Sequence, residues 1–142
     1  MNIKELIPQR EPFLFIDHIL EVDAQTIKSE MTFTPELDFF QGHFPSNPIV
    51  PGVILNEHCF QTAAAFIAKN EGGINNQLAV VSRVQSAKFK NLVKPEDKII
   101  STTTLVERIA NAAFFKSVVL NQDKQKVLII EFSVALVGDG HA

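Results

Sequence analysis

The run Gly42-His43-Phe44-Pro45-Ser46-Asn47-Pro48-Ile49-Val50-Pro51-Gly52-Val53-Ile54-Leu55-Asn56-Glu57 changes character at its middle. Its first half is a loop stiffened by Pro45, Pro48 and Pro51, because each ring fixes its own φ. Pro51 suits the first position of a helix, where its missing N–H removes nothing the helix needs. From Val53 to about Lys69 the chain reads as a helix, ending at Asn70 and the Gly72-Gly73 pair. Ala63-Ala64-Ala65 lets something approach that helix closely. The loop therefore holds His43 rigidly ahead of a helix whose second turn carries Glu57. On pattern alone, a proline-rich turn with an incidental histidine fits the same residues.

Around the helix the pattern is β. Phe13 to Val22 is apolar and reads as a buried segment, a strand for part of its length. Thr26 to Phe33 alternates, with Ile27, Met31 and Phe33 on one side and Lys28, Glu30 and Thr32 on the other, as in a half-buried strand. Pro35 to Pro51 reads as loop, anchored by Phe39, Phe40 and Phe44. Leu78–Phe89, Ile99–Arg108, Ala112–Leu120 and Val127–Val137 are rich in Val, Ile, Thr and Phe. Turn material at Lys94–Asp97, Ile109–Asn111 and Asn121–Gln125 separates them. The expectation is an α+β layer pair: about six antiparallel strands, the last four in a meander, with their apolar face covered by the one long helix.

Residues 1–142 form one domain by the length prior, and 46% hydrophobic with 20% charged residues is a globular composition. Twelve Phe with no Trp or Tyr supply apolar bulk without a polar handle, suited to a dry core or a greasy channel. The net charge of −3, with no long run of one sign, excludes the basic stripe of a nucleic-acid binder. Cys59 stands alone, so no internal disulfide forms, which fits a reducing compartment. Lys4, Glu5, Arg10 and Glu11 break any apolar signal segment, and no stretch approaches the roughly 20 apolar residues of a membrane span. A cytoplasmic protein is expected. His58 and Cys59 are adjacent on the helix and point in different directions. With neither a His-Glu-x-x-His nor a Cys-x-x-Cys spacing, no metal is expected. His18 reads as a strand-end surface residue and His141 as tail.

The central run resembles the signature of the bacterial 3-hydroxyacyl–acyl carrier protein dehydratases. In that family a Gly-His-Phe-Pro loop leads through Pro-Gly into a long helix. An acid stands fourteen residues after the histidine, the position of Glu57, and a glutamine four residues later, the position of Gln61. Ile7-Pro8-Gln9-Arg10-Glu11-Pro12-Phe13-Leu14-Phe15-Ile16-Asp17 is similar to the family's Pro-His-Arg-Tyr-Pro-Phe-Leu segment. Ala87-Lys88-Phe89-Lys90 with Val93-Lys94-Pro95-Glu96-Asp97 is similar to its Lys-Phe-Arg-Arg-Pro-Val-x-Pro-Gly-Asp strand and turn. Departures are Gln9 for histidine, Glu11 for tyrosine, bulky His58 and Phe60 for small helix residues, and Leu92 and Glu96 for a proline and a glycine.

The resemblance implies the hotdog fold, one long central helix wrapped by an antiparallel sheet of about six strands. It implies dehydration of (3R)-3-hydroxyacyl thioesters on acyl carrier protein to trans-2-enoyl thioesters, in fatty acid or specialised acyl or polyene chain synthesis. His43 would be the base that takes the C2 proton, since imidazole accepts a proton near neutral pH. Glu57 would protonate or hold the leaving hydroxyl, and Gln61 would orient its carboxylate. The backbone N–H of Gly52, unpaired in the first helical turn, would donate to the thioester oxygen. Phe44, Val53 and Phe60 are acyl-tunnel candidates. Lys88, Lys90 and Lys94, with Arg83 weaker, are candidates for docking the acidic carrier. No cofactor is implied, because the substrate rides on the carrier's phosphopantetheine. The resemblance further implies a homodimer in which His43 works with the partner's Glu57, with a trimer of dimers as a larger option. Two alternatives stay open: a hotdog acyl thioesterase, which uses a helix acid with water and needs no loop histidine, and a non-catalytic acyl-binding hotdog protein. Taken singly, Glu57, Gln61 and Gly52 are ordinary helix and turn residues; their joint spacing carries the reading.

Overall fold

Alternation sets which side of a half-buried strand is dry, and the strand from Thr26 to Thr32 follows it. In this computed structural model, which describes residues 2–43, 46–71 and 77–138, strand β2 (Thr26–Thr32) buries Ile27, Ser29 and Met31 and leaves the residues between them half-buried. Strand β1 (His18–Val22) pairs antiparallel with β2. A short helix α1 (Phe39–Gly42) lies within the stretch expected to be loop, with Phe40 buried. The long helix α2 (Gly52–Asn70) is followed by β3 (Gln77–Phe89), β4 (Lys98–Ile109), β5 (Ala112–Asn121) and β6 (Lys126–Gly138). Phe44, the Gly72-Gly73 pair and His141 lie outside the described residues.

The helix begins one residue earlier than expected. Pro51 is its N-cap, with φ −59° and extended ψ of 139°, so Gly52 is the first helical residue. Ile54 and Leu55 N–H both donate to the Pro51 carbonyl, at 3.0 and 3.3 Å. At the far end the Glu71 N–H closes the helix on the Ile67 carbonyl.

The sheet order is β1-β2-β4-β5-β6-β3, all antiparallel. The expected four-strand meander is therefore a three-strand one, β4-β5-β6, and β3 pairs with β6 at the far edge. The connection after β3 explains the difference, because it does not close as a hairpin. The Val50 N–H donates to Val93 C=O at 2.7 Å, Glu96 N–H to Phe33 C=O at 2.6 Å and Phe33 N–H to Asp97 C=O at 2.9 Å. Those bonds carry the chain back to the β2 side, where β4 joins. They also tie the loop that leads into α2.

Helix α2 lies on the buried face of this sheet. Phe33, Phe115, Phe132, Ile27, Ile67, Ile99, Leu128 and Ile130 fill the space between them. Phe66 meets Phe115 edge-on at 5.7 Å, and Phe115 stacks on Phe132 at 5.8 Å, so much of the Phe content is core. A polar seam runs through this core and was not legible in the sequence. His58, read there as added bulk and weighed as a metal ligand, is fully buried and reaches the Ser101 hydroxyl at 2.9 Å through Nε2 and the Phe15 carbonyl at 2.6 Å through Nδ1. Ser29 Oγ lies 2.9 Å from Ser101 Oγ and 2.7 Å from Thr62 Oγ1. Burial pushes the His58 pKa down to about 4, so the ring is neutral and Nδ1–H donates to Phe15.

Glu96 stands at φ 79°, in the left-handed region, where the resembling family has glycine. A Cβ there is strained by about 1–2 kcal/mol, partly offset by the lower unfolded-state entropy of a non-glycine residue. Glu96→Gly should therefore stabilise the fold by up to about 1 kcal/mol, seen as a higher urea midpoint at unchanged slope.

Candidate active site

Glu57 sits half-buried in the second turn of α2, and Gln61 one turn on shares its face. Gln61 is almost wholly buried and uses both ends of its carboxamide. Its Nε2 donates to Glu57 Oε2 at 3.1 Å and to Phe13 C=O at 2.9 Å, and its Oε1 accepts from Phe15 N–H at 2.9 Å. Partial burial raises the Glu57 pKa above its ordinary value, because a carboxylate loses water there; the hydrogen bond from Gln61 pulls it partly back. The result is a carboxyl that holds its proton more readily than a solvated one.

Glu57 opens into a cavity of about 370 Å³ between α2 and the β3 edge. Gln9, Phe13, Phe60, Gln61 and Ala64 line it from one side, and Ala79, Val80, Val81 and Val134 from the other. Ala64 belongs to the small-residue run, and its missing bulk is part of the space. Phe60 lines the cavity and also meets Phe132 edge-on at 5.0 Å. Val53 is not on this wall; it is 72% exposed on the first turn of α2. Across Phe13 lies a second cavity of about 500 Å³, whose ionisable lining groups are Glu11, Glu36 and Asp38.

His43 caps the end of α1, partly buried, and its Nδ1 lies 3.0 Å from the Ile49 carbonyl. A carbonyl only accepts, so Nδ1 carries the hydrogen and Nε2 is the basic nitrogen of the neutral ring. The proline-stiffened loop thus orients the imidazole through its own backbone. His43 is not on the wall of the Glu57 cavity. The structure brings Glu57, Gln61 and Phe60 together in one chain and leaves His43 apart from them.

At Gly52 the first-turn N–H points along the positive end of α2, with no acceptor within the helix. The Phe89 ring approaches this glycine closely. A Cβ on Gly52 would sit 3.1 Å from Cε1 of that ring, which is itself half-exposed. Lys88 stands one residue before the end of β3, opposite Ile129, and Lys90 continues the ladder through its N–H to Val127 C=O. Lys88, Lys90, Lys94 and Arg83 are exposed, and none forms an ion pair among the described residues.

Two features of the site escaped sequence reading. One is the orphaned oxygen of Gln9, a residue of the cavity wall whose Oε1 is buried and unpartnered among the described residues. β3 is an edge strand that exposes Leu78, Val80, Val81, Val84 and Phe89. The only available signal was the alternation of β3, and it cannot say which strand lies at an edge.

Comparison with known proteins adds the family. The FabA-like domain matches residues 7–135. The 3-hydroxyacyl-acyl-carrier-protein dehydratase FabZ of Rickettsia felis is 37% identical over 119 residues, covering 83% of this chain and 82% of that one. The FabZ of Fusobacterium nucleatum is 41% identical over 102 residues, 70% of each chain. Among solved structures, the dehydratase heterocomplex ApeI:P from Xenorhabdus doucetiae superposes with a TM-score of 0.83 at 10% identity, covering 97% of this chain and 92% of its own. A hypothetical thioesterase from Streptococcus pneumoniae, solved with coenzyme A, gives 0.68 at 12% identity and 85% of each chain. These likenesses show the hotdog fold.

The raised Glu57 pKa has a consequence for stability. The unfolded chain ionises this group near its ordinary value of 4.5, before the folded chain does. Its contribution therefore favours the native state below that pH and is lost as pH rises through the folded value. Glu57→Gln, neutral at every pH, should raise the melting temperature at pH 7 and leave it nearly unchanged at pH 4, as calorimetry would read.

Proposed function

The chain belongs to the FabA-like family, and from that premise we propose that it is a 3-hydroxyacyl–acyl carrier protein dehydratase acting through His43 and Glu57. His43 Nε2 takes the C2 proton of the acyl thioester. The electrons of that C–H bond form the C2–C3 double bond as the C3–oxygen bond breaks, and Glu57 delivers its proton to the departing hydroxyl, which leaves as water. The Gly52 N–H meets the charge that builds on the thioester oxygen, with the helix dipole adding to it. The observation that carries this reading is the Glu57 carboxyl, kept protonatable by burial and aimed by Gln61 into a cavity walled in part by Phe13, Phe60 and Val134. A thioesterase on the same fold would leave the oriented His43 imidazole without a task.

Acid and base are proposed to meet in a site that two chains build. His43 is off the wall of its own chain's Glu57 cavity, and the adjoining β3 edge exposes an apolar row. A two-fold pairing of chains along that edge would cover the row and bring His43 to the partner subunit's Glu57. The proposed assembly is thus a homodimer with two shared sites, with a trimer of such dimers as its larger form. Val53, exposed beside Gly52, and Phe60 are proposed to line the acyl tunnel; Phe44, outside the described residues, is proposed for it from the family motif alone. Elimination of water needs only an acid, a base and an oxyanion donor, so no cofactor is proposed beyond the carrier's phosphopantetheine. Among the described residues no helix is long and apolar enough to cross a membrane. The proposed setting is the cytoplasm, in fatty acid synthesis or a specialised acyl pathway.

Following enoyl product from 3-hydroxyacyl thioesters on acyl carrier protein tests the reaction. His43→Ala and Glu57→Gln should each lower kcat by about 10²–10⁴-fold with the fold intact. Dimers exchanged between the two inactive variants should regain activity, since one of their two sites is then unaltered; no regain would overturn the shared site.

Lys88, Lys90 and Lys94, with Arg83 further along β3, form the proposed docking face for the acidic carrier. Reversing Lys88 and Lys90 to Glu should raise KM for carrier-bound substrate, mainly through slower association, and added salt should act alike. The same variant should process carrier-free thioester mimics almost normally.

A further inference from the structure

Along α2 the Glu57 cavity is bounded by Glu57, Phe60, Gln61 and Ala64, the i, i+3, i+4 and i+7 positions of one helix face. Glu57 stands at one end of this stripe, and Ala64 lies about 10 Å further along the helix axis. Ala64 and, on β3, Ala79 add little bulk to the wall, whereas Phe60 adds a ring. Phe60 is only half-buried, so that ring presents surface to the cavity. Helical side chains lean back over the preceding turn, which puts the ring over the stretch next to Glu57. The side chain at position 60 therefore decides how much of the space beyond the acid is open.

The ring is also held in place. Phe60 meets Phe132 edge-on at 5.0 Å, Phe132 stacks on Phe115 at 5.8 Å, and Phe115 meets Phe66 edge-on at 5.7 Å. Phe132, Phe115 and Phe66 are all buried in the core. Phe60 is thus the outer end of a chain of linked rings whose other members cannot move without opening the core. Close-packed interiors resist such shifts, so Phe60 is a fixed wall. Phe13, on the same cavity, is half-exposed and has no comparable footing in the core.

We propose that Phe60 sets the acyl chain length of this protein, so that its cavity takes short 3-hydroxyacyl chains and excludes long ones. The inference rests on the dehydratase reading above and deepens it by naming the class of acyl chain. Glu57 marks the place of C3, because its proton goes to the oxygen on that carbon. The carbons beyond C3 occupy the rest of the cavity, which runs along α2 towards Ala64, and the Phe60 ring stands on that path. Each methylene that fits such a pocket is favourable, and the first that does not fit must displace packed atoms. A rigid ring turns that difference into a sharp limit.

Saturated acyl-pantetheines of graded length, bound without turnover, test this by calorimetry. Affinity should rise with chain length up to a limit and fall about tenfold for the first carbon beyond it. Phe60→Ala should move the limit to longer chains and Phe60→Leu should move it less, with melting curves verifying the fold of both. In assays of enoyl product, the kcat/KM ratio of long over short 3-hydroxyacyl thioesters should rise about tenfold in Phe60→Ala. A limit that stays in place in both variants overturns the proposal. So does a limit that Phe13→Ala moves and the Phe60 variants do not, since the chain would then run past Phe13. Failure of the dehydratase reading is seen separately, as absence of enoyl product when the unaltered protein meets 3-hydroxyacyl thioesters of every length.

Discussion

The Gln61 carboxamide is the interaction on which the site depends. One buried side chain ties the Phe13–Phe15 segment to α2 through two backbone bonds and turns its remaining hydrogen on Glu57. A helix glutamate alone would swing through several rotamers in water. With Gln61 fixed at its other contacts, the hydrogen offered to Glu57 comes from a defined direction. The same bonds bring Phe13 to the cavity wall, so one residue sets both the acid and part of its container.

Beneath this lies the polar seam of His58, Ser29, Thr62 and Ser101. Such groups are costly in a core unless each finds a partner, and here they find one another. His58 follows Glu57 in sequence, about 100° further round the helix, and its ring is buried against the sheet, where it also holds the Phe15 carbonyl. His58 and Gln61, one turn apart on the helix, thus grip the same N-terminal segment. Directional bonds locate the helix along the sheet in a way that apolar contacts, which are non-directional, do not. This bears on the helix departures: His58 replaces a small residue without entering the cavity, whereas Phe60 does narrow it.

The β3 edge is the other constraint. A long strand with an apolar face and an open hydrogen-bonding edge is an association surface unless something covers it. Its place beside the Glu57 cavity makes assembly and chemistry one problem under the proposed function. The imidazole, oriented by Ile49, and the acid, oriented by Gln61, are each prepared within a chain; the proposed dimer only has to bring them face to face.

The local order was legible from sequence because it is written in short-range periodicity and turn chemistry. The strands from Thr26 onward, the long helix and its Glu57–Gln61 spacing follow from alternation, proline placement and the i, i+4 geometry of a helix. The family signature added the roles expected of His43 and Gly52. What only the tertiary structure decided are relations between residues distant along the chain. Placing β3 at an edge depends on where the Lys90–Asp97 connection bonds, which periodicity does not encode. His58 as a core residue depends on serines 29 and 43 positions away. Phe89 at Gly52 and the unpartnered Gln9 amide are likewise contacts between segments, visible only once the sheet has closed on the helix. Periodicity fixes which face a residue takes; packing between distant segments fixes what that face meets.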